Sequence, residues 1–183
     1  MNKTMKKILA LLMALLMLVF CFASGEEEIE VLVADGVAMT EELMVEYSYP
    51  YYTPEEVALY LYVFVELPPN FLTKDEARDL GWVSSEGNLW EVADGMCIGG
   101  DIFGNREGLL PEENERVYYE CDVNYAGGFR GSERVVFSDD GLIYYTNDHY
   151  ETFTQLYDGW YVGELDMGPY EEIYYADLYA EAA

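Results

Sequence analysis

Basic residues are scarce in this sequence. The 183-residue chain holds 9 Lys and Arg against 36 Asp and Glu, for a formal net charge of −27. That balance excludes a protein that grips nucleic acid through a broad basic surface; any polyanion it handles must be met by a few local cations. Histidine occurs once and cysteine three times. Neither ordinary zinc-ligand spacing nor a disulfide framework can be built from so few. There is no phosphate-binding glycine loop and no Ser-His-Asp signature, and Gly99-Gly100-Asp101 is too short for a dinucleotide motif. No apolar run reaches the roughly 20 residues of a membrane span. The longest, Ile8 to Ala23, has 16. What is present is ordinary for a folded chain: 51% hydrophobic and 25% charged residues, with 18 tyrosines that favour strand-rich structure.

Composition divides the chain into four parts. In residues 1–25, Lys3, Lys6 and Lys7 precede the apolar run and Ala23, Ser24 and Gly25 follow it. This is the order of an export signal, and bulky Phe20 before Cys21 argues against lipoprotein cleavage. All 36 acids lie after Gly25 with only six Lys and Arg, so the exported chain carries −30. It keeps Cys97 and Cys121. A disulfide and two buried thiols are both compatible with export. Residues 26–52 hold eight acids and no Lys or Arg, and read as a propeptide or N-terminal extension. Residues 53–157 form the expected domain, with 21 acids against six basic residues. Residues 158–183 form a C-terminal extension with seven acids, five tyrosines and no Lys or Arg, in which Glu171–Ala183 fits an acidic helix.

Within 53–157 the pattern predicts helices first and strands second. Thr53-Pro54-Glu55-Glu56, Thr73-Lys74-Asp75-Glu76 and Asn88-Leu89-Trp90-Glu91 each read as a helix start with a capping residue. Pro68-Pro69 is expected to end the first helix and Gly81 the second. Strands are expected at 96–98, 116–122, 134–138, 142–146 and 152–154, with a tight turn at Asp140-Gly141. This is an α+β pattern in which helices cover one face of an antiparallel sheet and leave the other open to solvent. Strand parity puts Arg116, Tyr118, Glu120 and Asp122 on that open face, with Val117, Tyr119 and Cys121 on the apolar one. His149 falls in a loop between two strands, a common position for site residues.

Three runs carry a family resemblance. "LTKDEARDLGWVSSEGNL" at 72–89, "IGGDIFGNREGLLP" at 98–111 and "DVNYAGGFRGSERVVFSDDGLIYYTNDHYETFT" at 122–154 resemble the barnase type of small secreted bacterial guanyl-preferring ribonucleases. The likeness is ungapped over about 53–157 and touches neither extension. It implies that family's α+β fold and a metal-independent, cofactor-free endoribonuclease cleaving RNA after guanosine. Glu120 matches the family's general base and His149 its general acid. Lys74, Arg130 and Arg134 match the cations around the reacting phosphate, and Arg106 a further phosphate contact. Phe103, Gly104, Asn105, Arg106 and Glu107 match the guanine-recognition loop. There Glu107 accepts from the base, and Gly104 stands where the family commonly has Ser. Tyr150 matches a residue that stacks on the base, and Asp101 one that supports Lys74 and Glu120. The implied partners are RNA and an intracellular barstar-like inhibitor. The implied form is a secreted monomer, free of the membrane once the signal is removed. The alternative is a catalytically silent binding module on the same fold.

Overall fold

The computed structural model describes residues 30–174, so the expected export signal and most of the expected C-terminal helix lie outside the described residues. The chain falls into two compact units. One runs from Val45 to Val162, and the other joins residues 30–44 with 163–174.

The larger unit begins with helix α1, Pro54–Phe64. The Thr53 hydroxyl accepts from the Glu56 N–H at 3.4 Å and donates to its carboxylate at 2.7 Å, and Pro54 supplies the preset first turn. The helix ends at Phe64 because Val65 turns left-handed at φ 63°, well before the two prolines expected to stop it. Val57, Ala58, Leu61 and Phe64 are fully buried, and so are Leu59, Tyr60 and Val63 around the rest of the helix. One flank lies against the sheet. The other is covered by the aromatic run before the cap: Tyr47 meets Phe64 edge-on at 5.3 Å, and the Tyr60 hydroxyl donates to the Tyr47 carbonyl at 2.5 Å.

Helix α2, Lys74–Asp79, carries the full capping box, with Thr73 and Glu76 each bonding the other's backbone N–H. The short α3, Leu89–Val92, corrects the third capping expectation. Asn88 makes no cap bond. Its amide instead accepts from Val83 N–H at 2.7 Å and donates to the Gly81 carbonyl at 3.1 Å, closing the 81–88 loop. Ala77, Trp82, Leu89, Ile98 and Tyr125 form the core beneath these two helices.

The strands of the larger unit are β4 (Phe71–Leu72), β5 (Cys97–Phe103), β6 (Tyr118–Asp122), β7 (Arg134–Ser138), β8 (Ile143–Thr146) and β9 (Thr154–Tyr157), adjacent in that order. All pairs are antiparallel except β4–β5, a parallel pair that sequence patterning did not reveal. Helix α1 lies against β7, β8 and β9, and α2 against β4 and β5. The expectation of an open sheet face is overturned. Tyr118, Val136 and Tyr144 on that face are buried with Leu110, under Phe103, Leu142, Tyr150 and Phe153. Phe103 at the end of β5, Leu142 just before β8 and the loops after β5 and β8 supply this cover. Beyond β9 the chain doubles back: Tyr157 stacks on Tyr62 at 4.4 Å, and the Tyr161 N–H donates to the Tyr62 carbonyl at 2.9 Å.

In the smaller unit, β1 (Leu32–Ala34) and β2 (Val37–Met39) form an antiparallel hairpin. Its two-residue turn, Asp35-Gly36, has φ of 54° and 74°, the mirror-image turn that suits the strand twist. Strand β3, Met44–Glu46, follows at the boundary, with Met44 the last residue of this segment and Val45 and Glu46 the first of the larger unit. A single 3₁₀ turn spans Gly168–Tyr170.

Candidate active site

Strand register assembles the site. Asp101 on β5 faces Glu120 on β6, Asp122 on β6 faces Arg134 on β7, and Arg134 faces Thr146 on β8. Because side chains alternate, Glu120 and Asp122 project from the same face, two residues apart. Lys74 arrives from the first turn of α2. Its backbone N–H donates to Asp101 Oδ2 at 3.0 Å, which fixes the start of the helix on the sheet. Its Nζ then reaches Glu120 Oε1 at 2.6 Å and lies 3.7 Å from Asp101 Oδ2.

Glu120 is only 9% exposed, unlike the solvated acid that composition makes the default. Its second oxygen accepts from the Tyr150 hydroxyl at 2.5 Å. Burial pushes the carboxyl pKa up, but the hydrogen bonds from Lys74 and Tyr150 and the charges of Lys74 and Arg130 outweigh it. They hold the pKa below the ordinary carboxylate value of 4.5. Glu120 is therefore a buried carboxylate, ionised at neutral pH. The same contact acts in reverse on Tyr150, where burial and then the adjacent Glu120 raise the phenol pKa and keep it a donor.

Asp122 gathers both arginines. Arg130 binds it side-on, Nε to Oδ2 and Nη2 to Oδ1, both at 2.6 Å. Arg134 Nε lies 2.8 Å from Asp122 Oδ1, but its N–H is not aligned for a hydrogen bond, so the contact is one of charge. Its Nη1 donates to the carbonyls of Gly131 and Glu133 at 3.0 and 2.7 Å. Burial lowers the Arg130 pKa, but Asp122 more than offsets this and it stays charged. Lys74, Arg130 and Arg134 thus meet Asp101, Glu120 and Asp122, charge for charge. Asp122 was not singled out from sequence. Its signal was parity with Glu120, but only the pairing of β6 with β7 sets it opposite Arg134.

His149 and Tyr150 sit in the loop after β8, both left-handed, at φ 59° and 74°. Two side chains hold that unusual backbone. Thr146 Oγ1 accepts from the Tyr150 N–H at 3.1 Å and donates to Asp148 Oδ1 at 2.9 Å. Asp148 accepts from the Thr152 N–H at 2.9 Å and from its hydroxyl at 2.5 Å, bonds that bring its pKa down to about 2. His149 is exposed, its ring 4.8 Å from that of Tyr150. The Thr146-x-Asp148-x3-Thr152 spacing was legible as a loop-closing pattern but was not singled out.

The loop after β5 holds the other candidates. Phe103 stacks on Tyr150 at 5.1 Å, so one tyrosine joins this loop to Glu120. Asn105, at φ 41°, ties the loop across its base, donating to the Leu110 carbonyl at 2.9 Å and accepting from its N–H at 3.1 Å. Arg106 and Glu107 are exposed. Among the described residues Arg106 is the one cation outside an ion pair. A Cβ at Gly104 would meet nothing closer than Arg106 Cγ at 3.5 Å, so a serine fits there. Cys97 and Cys121 are free buried thiols, and burial pushes Cys97 up to about 12. No group of three or more His, Cys, Asp or Glu able to hold a metal occurs among the described residues. No described helix is long and apolar enough to cross a membrane.

The family model described as ribonuclease matches residues 58–157, which contain every residue of this cluster. This chain belongs to the ribonuclease family. It is 54% identical over 104 residues to a ribonuclease of Bacillus intermedius, covering 57% of this chain and 64% of that one. A ribonuclease of Heyndrickxia coagulans is 53% identical over 104 residues, covering 57% of this chain and 95% of that one. The guanyl-specific ribonuclease St of Saccharopolyspora erythraea is 47% identical over 55 residues, covering 30% of this chain and 54% of its own. The chain thus spans just under two thirds of the length of the Bacillus relative. The ribonuclease match leaves the paired 30–44 and 163–174 segments outside it.

Proposed function

We propose that this chain is a guanyl-preferring endoribonuclease that cleaves single-stranded RNA in two steps. Glu120 takes the proton from the ribose 2′-OH, and the 2′-oxygen attacks phosphorus. His149, as imidazolium, protonates the departing 5′-oxygen, leaving a 2′,3′-cyclic phosphate. In the second step His149 takes a proton from water, the hydroxide opens the cyclic ester, and Glu120 returns its proton to the 2′-oxygen. The product is a 3′-phosphate. Protons and bonds balance with no metal or cofactor. DNA lacks the nucleophile and should survive.

One observation carries the proposal: a buried carboxylate kept ionised by Lys74 and Tyr150, beside two arginines on one carboxylate. Lys74, Arg130 and Arg134 are fixed donors for the charge that grows on the phosphate oxygens. Because the cluster is already balanced, an entering phosphate takes its share of these cations from Glu120 and Asp122. That competition favours the dianionic transition state over the monoanionic ground state. Phe103, Gly104, Asn105, Arg106 and Glu107 form the base-reading loop, with Glu107 accepting from guanine N–H groups and Tyr150 stacking on the ring. The guanyl-specific relative supports that preference. The same proposal has residues 1–25 directing export, residues 53–157 acting as a monomeric catalytic domain, and a barstar-like inhibitor protecting the producing cell.

The test is cleavage of a GpA-type dinucleotide in EDTA, beside a His149→Ala control. A cyclic guanosine phosphate that vanishes in the control is the expected result. No cleavage by the full chain or by residues 53–157 would overturn the enzyme in favour of a silent binding module.

A further inference from the structure

The two segments outside the ribonuclease match lie at opposite ends of the sequence, yet they form one compact unit. The contact is specific. The Gly36 N–H, at the turn of the β1–β2 hairpin, donates to the Asp166 carbonyl at 2.8 Å. Two glycines make the approach possible, one from each end. A Cβ on Gly36 would lie 2.4 Å from Cδ2 of Tyr170, so the tyrosine ring fills the space a side chain would take. A Cβ on Gly168 would lie 2.6 Å from the Asp35 Cα, a backbone atom that cannot swing away. Within the C-terminal segment, the Gly168 N–H donates to Asp166 Oδ1 at 3.1 Å and the Tyr170 N–H to the Met167 carbonyl at 3.0 Å, which shapes it for this fit. Val33, Val37, Ala38, Met167 and Tyr174 are all buried.

Charge opposes the association. Glu30, Asp35, Glu41 and Glu42 stand on one segment and Glu164, Asp166, Glu171 and Glu172 on the other, with no Lys or Arg on either. The attraction includes packing and backbone hydrogen bonding, which are selective.

From these features we infer that the C-terminal extension is the built-in binding partner of the N-terminal one, and that the two act as a single clasp. The consequence concerns processing. Residues 30–44 are not a separately disposable propeptide, because a cut between them and the catalytic residues leaves them held by 163–174. Release requires that the C-terminal segment be opened or removed first. The inference is independent of the proposed activity, since none of its residues belongs to the catalytic cluster.

Amide exchange tests it, in the full chain, in Gly168→Ala and in a chain ending after Val162. Slow exchange at Gly36 in the full chain and at least tenfold faster exchange in both variants is the expected result, with Cys121 and Val135 on the central strands unchanged. The truncation removes no residue of the larger unit and introduces no misfit side chain. Raising salt from about 0.05 to about 0.5 M should slow Gly36 exchange further, because screening relieves the acid–acid repulsion. Unaltered protection of 30–44 in the truncated chain would overturn the clasp. So would loss of protection at Cys121 together with Gly36 in both variants, since the two ends would then not form a unit of their own.

Discussion

The two faces of the central sheet are buried to a similar degree by different means. On one face Cys121, Val135 and Ile143 are buried, with α1 against β7, β8 and β9. On the other, Glu120, Asp122 and Arg134 are nearly as inaccessible but ionic, and they share that face with an apolar cluster of Tyr118, Val136 and Tyr144. The first face is held by apolar area, which is non-directional and tolerates exchange of one hydrophobic shape for another. The second adds to its apolar cluster paired charges whose desolvation must be answered atom by atom. One sheet thus supplies a stable core and a charged surface from alternate residues of the same strands.

That contrast can be broken most sharply at His149. His149→Ala, exposed and remote from the core, should lower kcat by about 10²–10⁴-fold while leaving the thermal midpoint nearly unmoved, as steady-state kinetics and calorimetry on one sample will show. Asp122→Ala should damage both properties. It leaves two guanidinium groups facing a vacated site and should cost about 3–5 kcal/mol, seen as a lower urea midpoint together with weaker binding of a nucleotide phosphate. Leu61→Ala, on the helical side, should cost about 2–5 kcal/mol in the same denaturation yet leave the activity of the folded fraction unchanged. A large kcat loss there would erase the distinction between the faces.

Subtler effects sharpen the comparison. If Glu120 is the base, as proposed, the acid limb of kcat/KM should fall below the ordinary carboxylate value of 4.5. In Lys74→Met the largest lowering influence is gone, and the limb should move to higher pH. The sign for stability follows from the same depression. A carboxylate whose folded pKa is lowered stabilises the fold fully above its unfolded pKa and loses that contribution as pH falls through the folded one. Glu120 and Asp148, the latter at about 2 against an ordinary 3.8, should therefore make the melting temperature fall as pH drops from about 5 toward 2. Smallest of all, Gly104→Ser should fit without strain and change kcat/KM for a guanine substrate by less than about threefold, since only loop entropy is altered.

Legibility tracked how local each cause was. The helix starts at Thr53 and Thr73 were readable because a cap and its partner lie within four residues. Asn88 had the same signature, yet its amide found better partners in the 81–88 loop, a competition invisible to a local pattern. The hairpin turn Asp35-Gly36 carried the same two-residue signal as Asp140-Gly141 but was passed over amid the acidic composition of its segment. The two-residue β4 is too short to show periodicity, and its parallel partner lies about 25 residues away. Among the site residues, resemblance to relatives singled out Glu120, His149, Lys74, Arg130 and Arg134, whereas Asp122 and Asp148, which matter through what they hold, were passed over.

By itself the sequence determined the chemistry available to this protein: one histidine, six Lys and Arg beyond residue 25, alternating strands and no ordinary zinc-ligand spacing. Those follow from composition and short-range spacing. The tertiary structure alone decided which of the described acids are buried and ionised, that Tyr150 spans from Phe103 to Glu120, that one carboxylate serves two arginines, and that residues 30–44 meet residues 163–174. Each of those depends on register between strands or on contacts between distant segments, and no local pattern encodes a distance between residues far apart in sequence.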